Sequence, residues 1–215
     1  MGVGKFPNNP LTLFDYGATL GRMIFPGHGN PPGKHRNAIV DGTRLHIGGS
    51  QACPGWTVFD INPAAHVDEV GDVRDLSRFA SQSCSDIYAS HVLEHLGYQT
   101  EIAHVLSEFH RILKPGGMVR ISVPDLETLC ELFLEPLPPA EKFELMRMMF
   151  GGQMDAYDQH RTGLSFQILG DFLHEAGFVN IARVSSFGLF DDASEMRFHN
   201  IPISCNMQAI RPDAA

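Results

Sequence analysis

The run from Asp86 to Pro124 constrains the fold more than any other part of the chain. Asp86-Ile87-Tyr88-Ala89-Ser90 reads as a strand, and a helical pattern follows from Glu101 to Leu113. In that pattern Ile102, Val105, Leu106, Phe109 and Leu113 fall on one face, the spacing of a helix laid against a core. Lys114-Pro115-Gly116-Gly117 closes it with a basic residue, a helix breaker and two glycines. Met118 to Pro124 is then a second strand. A strand returned to its neighbour through a helical crossover makes a parallel pair.

The same alternation extends in both directions. Upstream, Arg44–Ile47 is a strand stopped by Gly48-Gly49, Trp56–Ile61 is another stopped by Asn62-Pro63, and Val67–Val70 is a weaker third. Downstream the chain reads as mostly helical to about Phe150, then as a Gly/Gln/Asp/His-rich loop and a helix over Ser165–Ala176. Strands are expected at Ile181–Ser186 and Ser204–Ile210. The pattern predicts an α/β fold with a mostly parallel central sheet and helices on both faces. With 215 residues the chain suits one domain. Residues 1–43, rich in Gly, Pro and Asn, read as an irregular arm with a short helix near Leu11 to Ile24. Residues 44–215 form the domain, with 134–164 as a substrate-covering insertion.

Charge narrows the partners. The formal net charge is -9, and no Lys/Arg cluster interrupts it. Such a surface repels phosphate backbones, so nucleic acid is not the expected partner and a small molecule is. Cys53, Cys84, Cys130 and Cys205 are scattered with no C-x-x-C pair, which fits reduced thiols rather than a disulfide framework or a zinc ribbon. No apolar run is long enough to span a bilayer, and Met1–Pro10 lacks the pattern of a secretory signal. The expected location is the cytoplasm. Nothing in the sequence fixes the oligomeric state.

In a doubly wound sheet, ligands sit beyond the carboxyl ends of the strands. Four stretches stand there. Ile47-Gly48-Gly49-Ser50 offers backbone that a ligand can approach closely. Asp60 ends the second strand with a carboxylate able to accept both hydroxyls of a ribose. Gly71-Asp72-Val73-Arg74-Asp75-Leu76 follows the third strand and pairs an acid with an exposed N–H, the means to read an adenine edge. Ser90-His91-Val92-Leu93-Glu94-His95 follows the strand bearing Asp86.

Taken together, Ile47–Ser50, Trp56–Pro63, Gly71–Leu76, Asp86–Leu96 and Arg111–Pro124 resemble the motif series of class I S-adenosylmethionine-dependent methyltransferases. The likeness is strongest to a small bacterial branch with Ser-His-Val-Leu-Glu-His after the fourth strand and Leu-Lys-Pro-Gly-Gly before the fifth. It covers Arg44 to Leu129 well and Gly163 to Phe178 more loosely. The resemblance implies a Rossmann-like fold, S-adenosylmethionine as cofactor, and methyl transfer to a small-molecule acceptor. It further implies that Gly48 and Gly49 face the methionine part of the cofactor, that Asp60 with Ile61 holds the ribose, and that Asp72 and the Val73 backbone meet the adenine. Asp75 competes with Asp72 for that role. Ser90 and His91 would line the pocket towards the acceptor.

Two departures stand out. The family pattern has Gly-x-Gly where this chain has Ser50, a small residue whose hydroxyl can bond the cofactor carboxylate. Gln51–Gly55 is too short for the usual first crossover helix. A Rossmann-like binding protein without methyl transfer is therefore the alternative. Of the 11 histidines, His91 and His160 are the candidate general bases, imidazole being the side chain that titrates near neutral pH. His91-Val92-Leu93-Glu94-His95 also matches an H-x-x-E-H zinc pattern. That pattern needs a long helix, and here the run meets Gly97 at once, so the expected reading is a pocket rim with no metal.

Overall fold

The computed structural model describes residues 42–213. The expectations for residues 1–41, including the short helix near Leu11, lie outside the described residues.

Seven strands form the central sheet: β1 (Thr43–Ile47), β2 (Thr57–Asp60), β3 (Glu69–Val70), β4 (Cys84–Ser90), β5 (Leu113–Pro124), β6 (Val179–Val184) and β9 (Ser204–Ile210). Their order is β3-β2-β1-β4-β5-β9-β6. Every pairing is parallel except those of β9, which runs antiparallel to both β5 and β6. The mostly parallel Rossmann-like sheet is as the sequence predicts. Four helices accompany it among the described residues: α1 (Glu101–Ile112), α2 (Leu126–Leu134), α3 (Pro139–Phe150) and α4 (Phe166–Glu175). The short strands β7 (Arg197–Phe198) and β8 (Ile201–Pro202) make a separate hairpin. Its turn residues His199 and Asn200 both have positive φ, as a tight two-residue hairpin requires.

Alternation along the strands sorts the residues into two unlike faces. Leu45 and Ile47 of β1, Ile87 and Ala89 of β4, Val119, Ile121 and Val123 of β5, and Met207 and Ala209 of β9 point to one side. There they meet Ile102, Val105, Leu106, Phe109 and Ile112 of α1 and Leu169 and Leu173 of α4 in a single apolar core. The other side carries His46, Tyr88, Ser90, Ser122 and Asn206, all buried. Arg120 adds an ion pair to Asp86 at 2.7 Å, with Arg44 on the opposite oxygen at 4.0 Å.

Among the described residues, the layer over this second face is built differently from the first. No helix interrupts residues 48–56, 61–68 or 71–83, since Pro54-Gly55, Asn62-Pro63 and a series of turns break each connection. Phe187, Leu189 and Phe190 instead pack on Trp56 and Tyr88. Asp192 accepts the Tyr88 hydroxyl at 2.9 Å, and the Ser194 carbonyl accepts the Asn206 amide at 3.0 Å. A polar strand face thus finds hydrogen-bond partners in an irregular segment.

One boundary differs from the sequence reading. Lys114–Gly117 lies inside β5 rather than before it, because Leu113 already pairs with Cys84 ahead of a register shift. Any side chain at Gly117 would meet the Lys114 and Ser85 carbonyls at 2.8 and 3.0 Å, so only glycine lets the strand pass. β6 also begins two residues earlier than expected, at Val179. The helical region after β5 divides into α2 and α3 across Glu135–Pro138 and forms its own apolar cluster with Phe198 and Ile203.

Candidate functional site

The strand order reverses beside β1: the chain leaves it towards β2 and β3, then returns on its other side as β4. Such a switch point opens a crevice beyond the carboxyl ends of the two strands. Gly48, Gly49 and Ser50 follow β1, Asp60 and Ile61 end and follow β2, and Ser90 and His91 end and follow β4. The pairing of Ile47 with Phe59 sets Gly48 beside Asp60, and the Gly48 N–H donates to the Phe59 carbonyl at 2.9 Å.

Gly48 and Gly49 are required by the chain's own packing. Gly48 has φ +72, and a Cβ there would lie 2.6 Å from a Val92 methyl. A Cβ on Gly49 would meet the His46 ring at 2.8 to 3.0 Å. The Gly49 carbonyl lies 3.0 Å from the His66 ring nitrogen. Asp60 accepts the Asn62 N–H on Oδ1 at 2.6 Å. Burial raises its carboxyl above the ordinary value, against the lowering pull of that N–H.

Asp72 is engaged differently from the sequence expectation. Arg74 reaches back to it with Nε at 2.9 and 3.1 Å and Nη2 at 2.5 Å, and holds its carboxyl below the usual range. The same guanidinium bonds Glu101 at 3.1 Å, and Glu101 in turn takes Arg161 at 2.6 Å. Asp72 therefore belongs to a surface ion network. Val73 packs half-buried on the main core, and Asp75 accepts the Ser77 N–H at 3.1 Å. A cleft lined by Tyr98, Arg161, Thr162, Gly163, Ile168 and Phe172 shares no residue with the strand-end crevice. The candidate site is the strand-end crevice, which lies at the topological switch point of the sheet.

At the end of β4 the Ser90 hydroxyl is buried with no hydrogen-bond partner among the described residues. His91 takes the left-handed conformation at φ +54 and is held at Nε2. The Ser204 hydroxyl donates to the Ala193 carbonyl at 2.8 Å, so it receives the His91 Nε2–H at 3.1 Å. Nδ1 is then the bare nitrogen, and it faces Glu94 Oε1 at 3.3 Å, long for a hydrogen bond. Glu94 is 1% exposed, and burial pushes its carboxyl up to about 8. A neutral Glu94 against a neutral His91 is the arrangement these contacts favour.

Burial lowers His91 to about 4, and His160 likewise to about 4. Both stay unprotonated at neutral pH, yet an imidazole with so low a pKa draws a proton poorly. His160 does not approach the turn alone. Its ring stands edge-on to His95 at 4.9 Å, and the His95 Nδ1 bonds the Gln159 carbonyl at 3.1 Å. One ligating atom each of Glu94, His95 and His160 lies within 4.8 Å of the others. The H-x-x-E-H run reads as a lone pocket rim in sequence because its third member lies on a distant loop, with no helical period linking the two.

Comparison with known proteins agrees with this core region. Residues 59–121, from the end of β2 into β5, match the family described as a methyltransferase domain. The matched segment carries Asp60, Ile61, Asp72, Val73, Ser90 and His91, and leaves out Gly48, Gly49, Ser50 and His160. No curated protein matches the chain in sequence. Among solved structures it is similar to an S-adenosylmethionine-dependent methyltransferase of Methanosarcina mazei, at 13% identity and TM-score 0.49, over 84% of this chain and 96% of that one. The S-adenosylmethionine-dependent methyltransferase SibL, in its apo form, gives 15% identity and TM-score 0.49 over 80% and 51%. Human N-acetylserotonin methyltransferase in complex with S-adenosylmethionine gives 13% and 0.46 over 78% and 47%. The chain thus spans about half the length of the last two. No helix among the described residues is long and apolar enough to cross a membrane.

Proposed function

We propose that the chain transfers a methyl group from S-adenosylmethionine to a small-molecule acceptor. The observation that carries this reading is the Gly48 turn bonded to Phe59 at the switch point, next to an Asp60 that lies within the segment matching the methyltransferase-domain family. In the proposed complex Asp60 accepts the ribose hydroxyls, and Ile61 supplies apolar surface beside the sugar. Gly48, Gly49 and Ser50 border the methionine part, with the Ser50 hydroxyl as donor to its carboxylate. The Val73 N–H reads the adenine edge, and Asp72 joins it when Arg74 shifts its bond to Glu101. Ser90 offers a hydroxyl towards the sulfonium.

Methyl transfer is an in-line displacement, so alignment of donor and acceptor does most of the work. Residues 134–164 are proposed to cover the acceptor, since Gln159 and His160 from that segment reach the turn after β4. His91 and His160 line the acceptor side, with His91 held as a positioning group by Ser204. The net charge of -9 favours a small acceptor over nucleic acid.

A second reading has a specific observation behind it. Val92 already packs over Gly48, and Arg74 already occupies Asp72, as in a Rossmann-like binding protein that has given up methyl transfer.

Calorimetric titration with S-adenosylmethionine and S-adenosylhomocysteine separates the two. The methyltransferase reading expects one saturable site, weakened about ten- to a hundredfold by Asp60→Ala, the equivalent of one lost hydrogen bond to a charged group. No saturation at about 1 mM ligand, a binding energy near 4 kcal/mol, would favour the second reading.

A further inference from the structure

Glu94 poses a chemical problem that methyl transfer does not answer. Its side chain is almost wholly buried, and neither oxygen has a hydrogen-bond partner among the described residues. His91 Nδ1 faces Oε1 at 3.3 Å. A carboxylate taken out of water needs a proton or a cation to offset the lost hydration.

Two further ligating groups surround it. His95 donates from Nδ1 to the Gln159 carbonyl, which fixes the tautomer that leaves Nε2 with a lone pair. Histidines that bind metals are oriented in this way by a carbonyl on the other nitrogen. His160 brings a second imidazole edge-on to the first. The loop bearing His160 is itself tied to the turn: the N–H groups of Arg161 and Thr162 donate to the Glu94 carbonyl at 2.7 and 3.1 Å. Thr162 Oγ1 donates to the Leu96 carbonyl at 2.6 Å. Asp158 and Asp155 add negative charge near His95.

We propose that Glu94, His95 and His160 bind one divalent first-row transition-metal ion. Two imidazoles and a carboxylate suit zinc, iron, cobalt or nickel and leave further positions open. Around an ion with bonds of about 2.1 Å, tetrahedral ligand atoms lie roughly 3.4 Å apart. The three atoms, now within 4.8 Å of one another, close by about that difference through side-chain rotation.

The role of the ion rests on the methyltransferase reading. A hydroxyl of the acceptor binds an open position and releases its proton to solvent, as metal-bound water does near neutral pH. The oxygen lone pair forms the new O–C bond, the C–S bond breaks, and its electron pair remains on sulfur.

The test uses the full chain, stripped with a chelator and titrated with Zn(II) by calorimetry and with Co(II) by visible absorption. The expected result is one equivalent per chain, with Co(II) bands of tetrahedral or five-coordinate type. Glu94→Gln and His160→Ala each weaken binding by at least about tenfold, while His104→Ala, on the outer side of α1, leaves it unchanged. Circular dichroism checks that each variant folds. Should both fail to fold, ring 1H–15N spectra of the wild-type chain decide, because Co(II) must broaden His95 and His160 ahead of His104 and His110. No saturable binding, binding that survives both substitutions in folded protein, or broadening elsewhere overturns the proposal. Titration of the same samples with S-adenosylhomocysteine keeps the two readings apart, since metal binding can fail while cofactor binding persists, and the reverse.

Discussion

Buried on the second face of the sheet, the His46 ring lies 4.0 Å from Phe190 and 5.0 Å from Tyr88, and its Nδ1 has no hydrogen-bond partner among the described residues. Desolvation lowers it to about 4, against the opposing charge of Asp192. The unfolded chain takes up this proton near 6.5 and the folded chain only near 4. As pH falls through that window the unfolded state gains a proton first, so stability drops, levelling off below it. The shift corresponds to roughly 3 kcal/mol, and His46→Leu should flatten the acid limb of stability against pH in urea titrations. At Gly48 the cost is steric. Gly48→Ala should lose about 1–3 kcal/mol, and adding Val92→Ala should restore part of it, leaving the strain of the positive φ. A double-mutant cycle by chemical denaturation measures that coupling, and equal losses in both backgrounds would refute it.

At the scale of elements, α1 does more than fill one layer. Arg111, near its end, donates to the Leu76 and Phe79 carbonyls at 3.0 and 2.9 Å, and its own carbonyl accepts the Gln82 N–H. These bonds order the helix-free connection between β3 and β4, assisted by a two-point pair with Glu108 at 2.8 and 2.7 Å. Arg111→Lys keeps the charge but loses the planar fork. It should cost about 1–3 kcal/mol and raise hydrogen exchange in residues 76–83 ahead of the rest. α1 was legible in sequence because Ile102, Val105, Leu106 and Phe109 follow the helical period and bury completely. β3 was only faintly legible, since two paired residues carry little periodicity. The β5 start was misplaced because Pro and Gly stop a helix equally well whether a loop or a strand comes next. The cluster of His95 and His160 was illegible for a different reason: nothing local links a turn after β4 to a loop after α3.

For the whole molecule, alternation and crossover rules foretell a mostly parallel sheet, while the strand order that places the crevice beside β1 is seen only in the fold. The residues that edge the crevice were legible because they follow strands; the partners they take were not. Arg74 on Asp72 and Val92 over Gly48 are tertiary contacts, and they determine how far the crevice must open for a ligand. If Arg74 competes with adenine for Asp72, Arg74→Ala should tighten S-adenosylhomocysteine binding several-fold, and a weakening would mean that the arginine serves the ligand instead. The most direct test of the methyltransferase account is a crystal structure of the chain with S-adenosylhomocysteine. The account predicts the ribose hydroxyls on Asp60, the homocysteine along Gly48–Ser50 and the adenine at the Val73 N–H. Ligand lodged instead between Tyr98, Arg161 and Phe172, with Val92 still packed on Gly48, would contradict it.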